Sequence, residues 1–286
     1  MTRRFAALAC VLLVATAGCA GITGQDDATT TAPTQTTAET TEATTATATT
    51  ESAEQLAPGV TADGVEDARV LADAHLATVR NQSLVTYDRV RRTTASGTAF
   101  RNASLAMTNE SHWQYNVSSD GMQVGPMFGA EAFETYADSE RMLWRTENES
   151  TVEYGAYTFR AEDETVVVPP AQVFERSYRG QYGRDLVYTL ASRADAVEVP
   201  EDDESAVRLS GGADRLPLGR EETTNAEFTV TVAADGQVRS IEMVYERGNA
   251  TVARSVSFDT DVTDPVEQPD WYETALNETD LNKSDA

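Results

Sequence analysis

The sequence predicts an α+β domain: an antiparallel half-open β-barrel with a helix before the sheet and further helices inserted into it. Three observations carry this. Apolar residues recur at helical spacing between residues 63 and 81 and again between 171 and 194. Through most of the remaining stretch from 85 to 258 they alternate at period two, the mark of strands with one covered face. Turn dipeptides such as Asp235-Gly236 and Gly248-Asn249 separate the clearest alternating runs, so neighbouring strands are joined by tight hairpins and run antiparallel.

Taken in order, residues 1–18 read as a signal peptide. Arg3 and Arg4 precede an uncharged, mostly apolar run, Phe5 to Gly18. That run is shorter than the roughly 20 residues a bilayer core requires. It ends in Thr16-Ala17-Gly18-Cys19, as in a lipobox. Small side chains there let a peptidase hold the backbone extended, and the Cys19 thiolate accepts a lipid thioether. Thr2-Arg3-Arg4-Phe5 looks like part of a twin-arginine export motif with its aromatic residue one place early, while the Leu/Val-rich run suits the general secretory route equally. Residues 19–57 then form the lipidated start and a disordered tether. Between Ala28 and Thr50, 13 of 23 residues are Thr, too polar to repay ordering by burial. As a flexible coil the tether reaches roughly 35 Å. A plain linker and an O-glycosylated stalk both fit it.

The folded domain is expected over residues 58–276, followed by a polar tail, 277–286. Asp63 is placed to cap a helix ending near Asn81, with Val65, Ala68, Leu71, Ala72, His75, Leu76 and Val79 on one face. His75 has no partner at metal-ligand spacing and reads as packed against the domain. Strands follow. Val85, Tyr87 and Arg89 alternate with Thr86, Asp88 and Val90. Arg101, Ala103, Leu105 and Met107 share a face, as do Trp113, Tyr115 and Val117. A loop rich in Gly, Met and Phe runs from Gly121 to Gly129. Asp138-Ser139 sits near a hairpin turn, with Met142 and Trp144 on one face beyond it. Tyr154–Phe159 and Thr165–Val168 read as further strands, and Pro169-Pro170 breaks the sheet. One or two helices over 171–194 turn Val173, Phe174, Leu186, Val187 and Leu190 inward. Val197–Val199 pairs with Ala206–Leu209. A three-strand meander closes the sheet through Phe228–Val232, Ile241–Tyr245 and Val252–Phe258, and Trp271 begins a short helix covering an edge or end of it.

Composition limits what this domain does. The chain of 286 residues carries 22 basic against 47 acidic residues, a net charge of −25, and its only lysine is Lys283. Abundant carboxylates with almost no lysine resemble the proteins of salt-loving archaea, where the Debye length falls to about 3 Å and self-repulsion costs little. No basic patch is expected to neutralise phosphates, so nucleic acid is not an expected partner. Cys10 lies in the signal peptide and Cys19 at its end, so the folded part has no thiol, disulfide or Cys-based metal site.

The order of elements also resembles a known group. The stretches that carry the resemblance are the lipobox, Pro58-Gly59-Val60-Thr61 with the helix after it, Phe228 to Tyr245, and Val266 to Tyr272. They are similar to uncharacterised haloarchaeal lipoproteins whose domain is of the LolA/LppX half-barrel type. The resemblance implies a concave sheet face, lidded by helices, that can hold acyl chains, and it supplies no contact motif for particular positions.

Catalytic signatures are missing: no Gly-x-Ser-x-Gly turn, no His-Glu-x-x-His, no phosphate-binding or dinucleotide glycine loop. A non-enzymatic protein without cofactor or metal is therefore expected. Eight of nine asparagines stand in Asn-x-Ser/Thr, namely Asn81, Asn102, Asn109, Asn116, Asn148, Asn249, Asn277 and Asn282, which points to glycosylation, with the first six as the favoured sites. Two functions stay open. One is a lipoprotein at the outer face of the cytoplasmic membrane that binds a lipid or other apolar ligand, in a cleft formed by Trp113, Tyr115, Met127, Phe128, Met142 and Trp144. The other is an envelope-structural or surface-interaction lipoprotein whose barrel is filled by its own side chains.

Overall fold

The computed structural model describes residues 54–122, 124, 130–161, 164–201, 203–218, 223–279 and 281. Three short strands open the domain: β1 (Gln55–Ala57), β2 (Val60–Thr61) and β3 (Gly64–Val65), paired in that order. The first of these strands precedes Pro58. Helix α1 (Ala68–Arg80) starts later than predicted. Asp67, not Asp63, is the cap, its Oδ1 accepting from the Arg69 and Val70 amides at 2.9 and 3.0 Å. The cause lies in residues 59–66. The Gly59 carbonyl accepts the Glu66 and Asp67 amides, and Gly64 adopts φ +150°, which folds this stretch into the small β-ribbon. The helix then buries Leu71, Ala72, His75 and Val79, close to the predicted face. Each large apolar side chain so covered stabilises the domain by about 1.5–3 kcal/mol.

Eleven antiparallel strands make the main sheet. The first six follow one another as a meander: β4 (Leu84–Thr94), β5 (Gly97–Asn109), β6 (His112–Asp120), β7 (Ala132–Asp138), β8 (Met142–Glu147) and β9 (Val152–Ala156). A separate ribbon, β10 (Thr158–Ala161) and β11 (Glu164–Val167), breaks away after Tyr157, so the expected single strand Tyr154–Phe159 is two. The second half comprises β12 (Ala196–Glu198), β13 (Ala206–Leu216), β14 (Thr223–Ala233), β15 (Val238–Arg247) and β16 (Ala250–Asp259). β16 pairs with β4 and joins the two halves into the order β12-β13-β14-β15-β16-β4-β5-β6-β7-β8-β9. The outer strands β9 and β12 are not paired with each other, so the barrel stays open.

Between the halves, Pro170 occupies the first turn of α2 (Pro170–Ser177), where its missing N–H costs nothing. A 3-10 turn (Arg179–Tyr182) and α3 (Arg184–Ala191) follow. Gly183 separates them at φ +75°, and a Cβ there would stand 2.5 Å from the Phe258 ring, so only glycine fits. The three segments pack on the concave face. Trp113 meets Phe174 and Tyr178, Phe174 also meets Tyr178 and Tyr182, and α3 lies against α1 through Arg184, which donates to Asp73 at 2.7 Å. His75 fastens this layer to the sheet. Its Nδ1 accepts the Val238 amide at 3.1 Å and its Nε2 lies 2.8 Å from the Tyr182 carbonyl, which makes Nε2 the protonated nitrogen. Burial lowers the His75 pKa from 6.5 to about 4.

On the convex side, α4 (Tyr272–Glu278) covers β7 to β9. Trp271 Nε1 donates to Glu134 at 2.7 Å, Tyr272 hydrogen-bonds Asp138, and Leu276 joins Leu143 in an apolar patch. Helix α4 runs to Glu278.

Candidate functional site

Paired strands place side chains in rows across the concave face, and the rows change character along the strands. Deepest is the row Leu84, Met107, Trp113, Ala137 and Met142, with no exposure at any of the five positions. Next come Thr86, Leu105, Tyr115, Thr135 and Trp144. Asp88 follows, flanked by Val256 and Ala103. Beyond it Arg254, Val90 and Arg101 stand side by side, then Tyr245, Val252 and Arg92, and finally Arg247 beside Ala250. Four residues of strand separate Asp88 from Arg92, about 13 Å. Over that distance the interior passes from apolar to cationic.

The outer rows line a cleft of about 770 Å³. Asp185, Leu186 and Thr189 of α3 form one wall, and Met122 and Leu218, from the ends of two loops, close the sides. Asp88 anchors its floor. This carboxylate, 8% exposed, accepts from Arg254 Nε at 2.8 Å and Nη2 at 3.1 Å, and from Arg101 Nη2 at 2.8 Å. One carboxylate thus holds two guanidiniums and leaves a positive surplus. Arg247 donates to the Leu218 carbonyl at 2.8 Å and lies over the Tyr245 ring, 5.4 Å from its centroid. Arg92 is exposed at the mouth, with no carboxylate at ion-pair distance among the described residues.

The residues expected to form an apolar cleft are arranged differently. Trp113 and Met142 are fully covered, Trp113 by Phe174 and Tyr178 of the α2 segment, and Tyr115 packs against Tyr178 at 5.1 Å between ring centroids. Trp144 lies flat over Gly155 of the next strand and packs with Val117, Val124 and Phe133. These four therefore share one face, as their spacing predicts, but helix side chains occupy the space above Trp113 and Tyr115. Met127 and Phe128 lie outside the described residues, as do Cys19 and Asn282. The open cleft is displaced along the same face toward the arginines, which sequence reasoning did not single out. Their phase was the available signal. Arg101 continues the Ala103-Leu105-Met107 series, Arg254 the Val252-Val256-Phe258 series and Arg247 the Ile241-Met243-Tyr245 series, so each points inward.

The strand order makes this domain an open antiparallel half-barrel. No protein-family model matches the sequence, and no curated protein matches it. Solved structures give distant likenesses. One is LprF from Mycobacterium bovis, at 14% identity over 70% of this chain and 97% of that one, with a TM-score of 0.33. Another is the LolA superfamily protein NE2245 from Nitrosomonas europaea, at 10% identity, 71% and 98% coverage and a TM-score of 0.26. A third is a putative outer membrane lipoprotein-sorting protein domain from Vibrio parahaemolyticus, at 7% identity, 72% and 99% coverage and a TM-score of 0.22. At these scores the likenesses carry no argument about this chain, and its fold class rests on its own strand pairing.

The sequon asparagines among the described residues lie at the surface or half-buried. Asn81 caps α1, Asn109 and Asn148 stand at hairpin turns, Asn249 follows Gly248 in the β15–β16 turn, and Asn277 is on α4. Asn102 and Asn116 project from the convex face, opposite the cleft. Among the described residues no cluster of three or more His, Cys, Asp and Glu side chains is placed to hold a metal ion. No helix among them is long and apolar enough to cross a membrane.

Proposed function

We propose that this is a non-enzymatic, ligand-binding lipoprotein of a salt-adapted archaeon, held at the outer face of the cytoplasmic membrane by lipid on Cys19. The observation that carries the binding role is the cleft of about 770 Å³ on the concave face under α3, within the size range of small-molecule sites. The lipobox and the Thr-rich stretch of residues 28–50 support the anchor and the tether. Several of the surface sequons carry glycans in this reading, and those on the convex face leave the cleft clear. A lipid or other amphiphile is the ligand class, since apolar side chains and a deep aromatic core adjoin the cleft.

A second reading has its own observation. Phe174 and Tyr178 fill the aromatic half of the barrel, as in a domain that serves only as a packed structural body. Native mass spectrometry of the full chain, extracted gently from its own membrane, separates the two. The expected result is a mature N-terminus at Cys19 with lipid mass, glycan mass, and a further non-covalent adduct released on activation. An adduct-free protein that also fails to take up any added amphiphile would establish the structural reading.

A further inference from the structure

We propose that Asn102 carries an N-linked glycan whose innermost sugars pack on Tyr87 and Phe100, so that a covalently held sugar covers the convex face over β4 and β5. This inference rests on the reading that surface sequons carry glycans, and it names one site and its seat.

Strand register builds the seat. In the sequon Asn102-Ala103-Ser104, the acceptor and the hydroxyl lie two apart on β5 and so share the convex face. Asn102 is exposed there. Tyr87 of β4 stands opposite Ser104, which makes it a diagonal neighbour of Asn102, about 7–8 Å away along the backbone. Phe100 lies two residues back on β5, about 7 Å to the other side. Both rings are open, 46% and 44% exposed, and open aromatic surface on a sheet face marks a place of contact. The contact surface is mixed. Ser104, Ser118, Ser255 and Ser257 stand at neighbouring positions, and Arg89, opposite Asn102, has its guanidinium carbon 5.9 Å from the Tyr87 ring centroid. A sugar ring has a C–H face for an aromatic side chain and rim hydroxyls for serine and guanidinium partners. Helix α4 lies on the same side of the sheet but over β7 to β9. The diagonal sequon residue Asn116 is a poorer acceptor, being half-buried with its Oδ1 accepting from Gln114 Nε2 at 3.4 Å. In the transfer itself, Asn102 Nδ2 loses one proton and bonds the anomeric carbon of a polyprenyl phosphate-linked oligosaccharide. The bond from that carbon to the phosphate oxygen breaks, and the lipid phosphate leaves with the bonding pair.

The test uses the full chain purified in detergent from its own host, kept at the salt concentration at which it is folded. Glycopeptide mass spectrometry should find sugar on Asn102 in the parent, and Asn102→Gln and Ser104→Ala should each lose it. Hydroxyl-radical footprinting should then oxidise Tyr87 and Phe100 several-fold faster in either variant than in the parent. Melting should follow, with each sequon variant lower by roughly 2–4 °C. Tyr87→Ala should lower the melting temperature of the parent clearly more than that of Ser104→Ala, since the ring has lost its sugar there. If one sequon variant does not fold, the other gives both comparisons, and the footprint needs no aromatic substitution. An unmodified Asn102 beside other occupied sequons overturns this inference and leaves the glycosylated-surface reading standing. Sugar on Asn102 with equal oxidation of both rings in parent and variant overturns the seat. No sugar on any sequon overturns both.

Discussion

Lowering the pH should weaken the domain through His75, by an amount the structure allows to be worked out. The imidazole is fully buried, accepts the Val238 amide on Nδ1 and faces the Tyr182 carbonyl with Nε2, while the Phe258 ring closes one side at 4.7 Å between centroids. A proton on Nδ1 removes the acceptor for Val238 and places an uncompensated charge in the core. The folded pKa is accordingly lowered to about 4, against 6.5 for the unfolded chain. Because the folded value is the depressed one, the unfolded state binds the proton first as pH falls. The stabilisation is therefore complete above about pH 6.5, declines between 6.5 and 4, and is fully lost below. At 1.36 kcal/mol per pH unit, that window is worth about 3 kcal/mol. Urea unfolding at fixed high salt, from pH 7.5 to 4, should be run on the parent and on His75→Gln. Carboxylates titrate in both proteins, so the difference between the two curves isolates the histidine. At pH 7 the variant should be less stable by about 1–3 kcal/mol from the broken hydrogen bonds. The gap should close or reverse by pH 4. Parallel curves across this range would refute the assignment of a neutral, doubly bonded His75.

Three further outcomes are expected. Changing Cys19→Ser should release the protein into the medium or leave it unprocessed, read by membrane fractionation and the mature mass; a processed variant that stays fully membrane-bound would sink the lipobox reading. The unfolding midpoint should fall steadily from molar to low salt, as the Debye length grows from about 3 Å past 10 Å and carboxylates repel; a flat response would show that the acidity is not a salt adaptation. Gly183→Ala should cost about 2 kcal/mol or more, because φ +75° is strained for alanine and its methyl group meets the Phe258 ring, and an unchanged melting temperature would contradict that packing.

Local chemistry explains which parts of this architecture are legible in the sequence. Asp235-Gly236 and Gly248 mark hairpins because their turns require positive φ, observed at +91° and +61° for the two glycines. The start of α1 was misplaced because Asp63 and Asp67 are both competent caps. Only the tertiary carbonyl of Gly59, which takes the Glu66 and Asp67 amides, decides between them. The aromatic row was legible as a shared face, since period two fixes parity. Its occupant was not, because Phe174 and Tyr178 arrive from a helix about 60 residues downstream of Trp113, and no local pattern encodes where a helix lands. The arginine cleft assembles residues from β4, β5, β15 and β16; phase alone marks Arg101, Arg247 and Arg254 as inward-facing, but only the strand pairing brings them together. A charged residue in phase with an apolar series is the transferable sign.

The β4–β16 seam has a consequence for the order in which the molecule can be assembled. Each half of the sheet is a chain of hairpins between sequence neighbours, and both can zip locally and fast. The seam instead joins Asp88 to Val256, across most of the domain's length, so its closure carries the largest loop entropy and is the expected slow step. Until β16 arrives, β4 is a bare strand edge eleven residues long, of the kind that recruits foreign strands. Asp88, Arg89, Arg91 and Arg92 sit on that edge. The waiting intermediate is thus guarded by charge, and Asp88 and Arg92 go on to line or anchor the finished cleft.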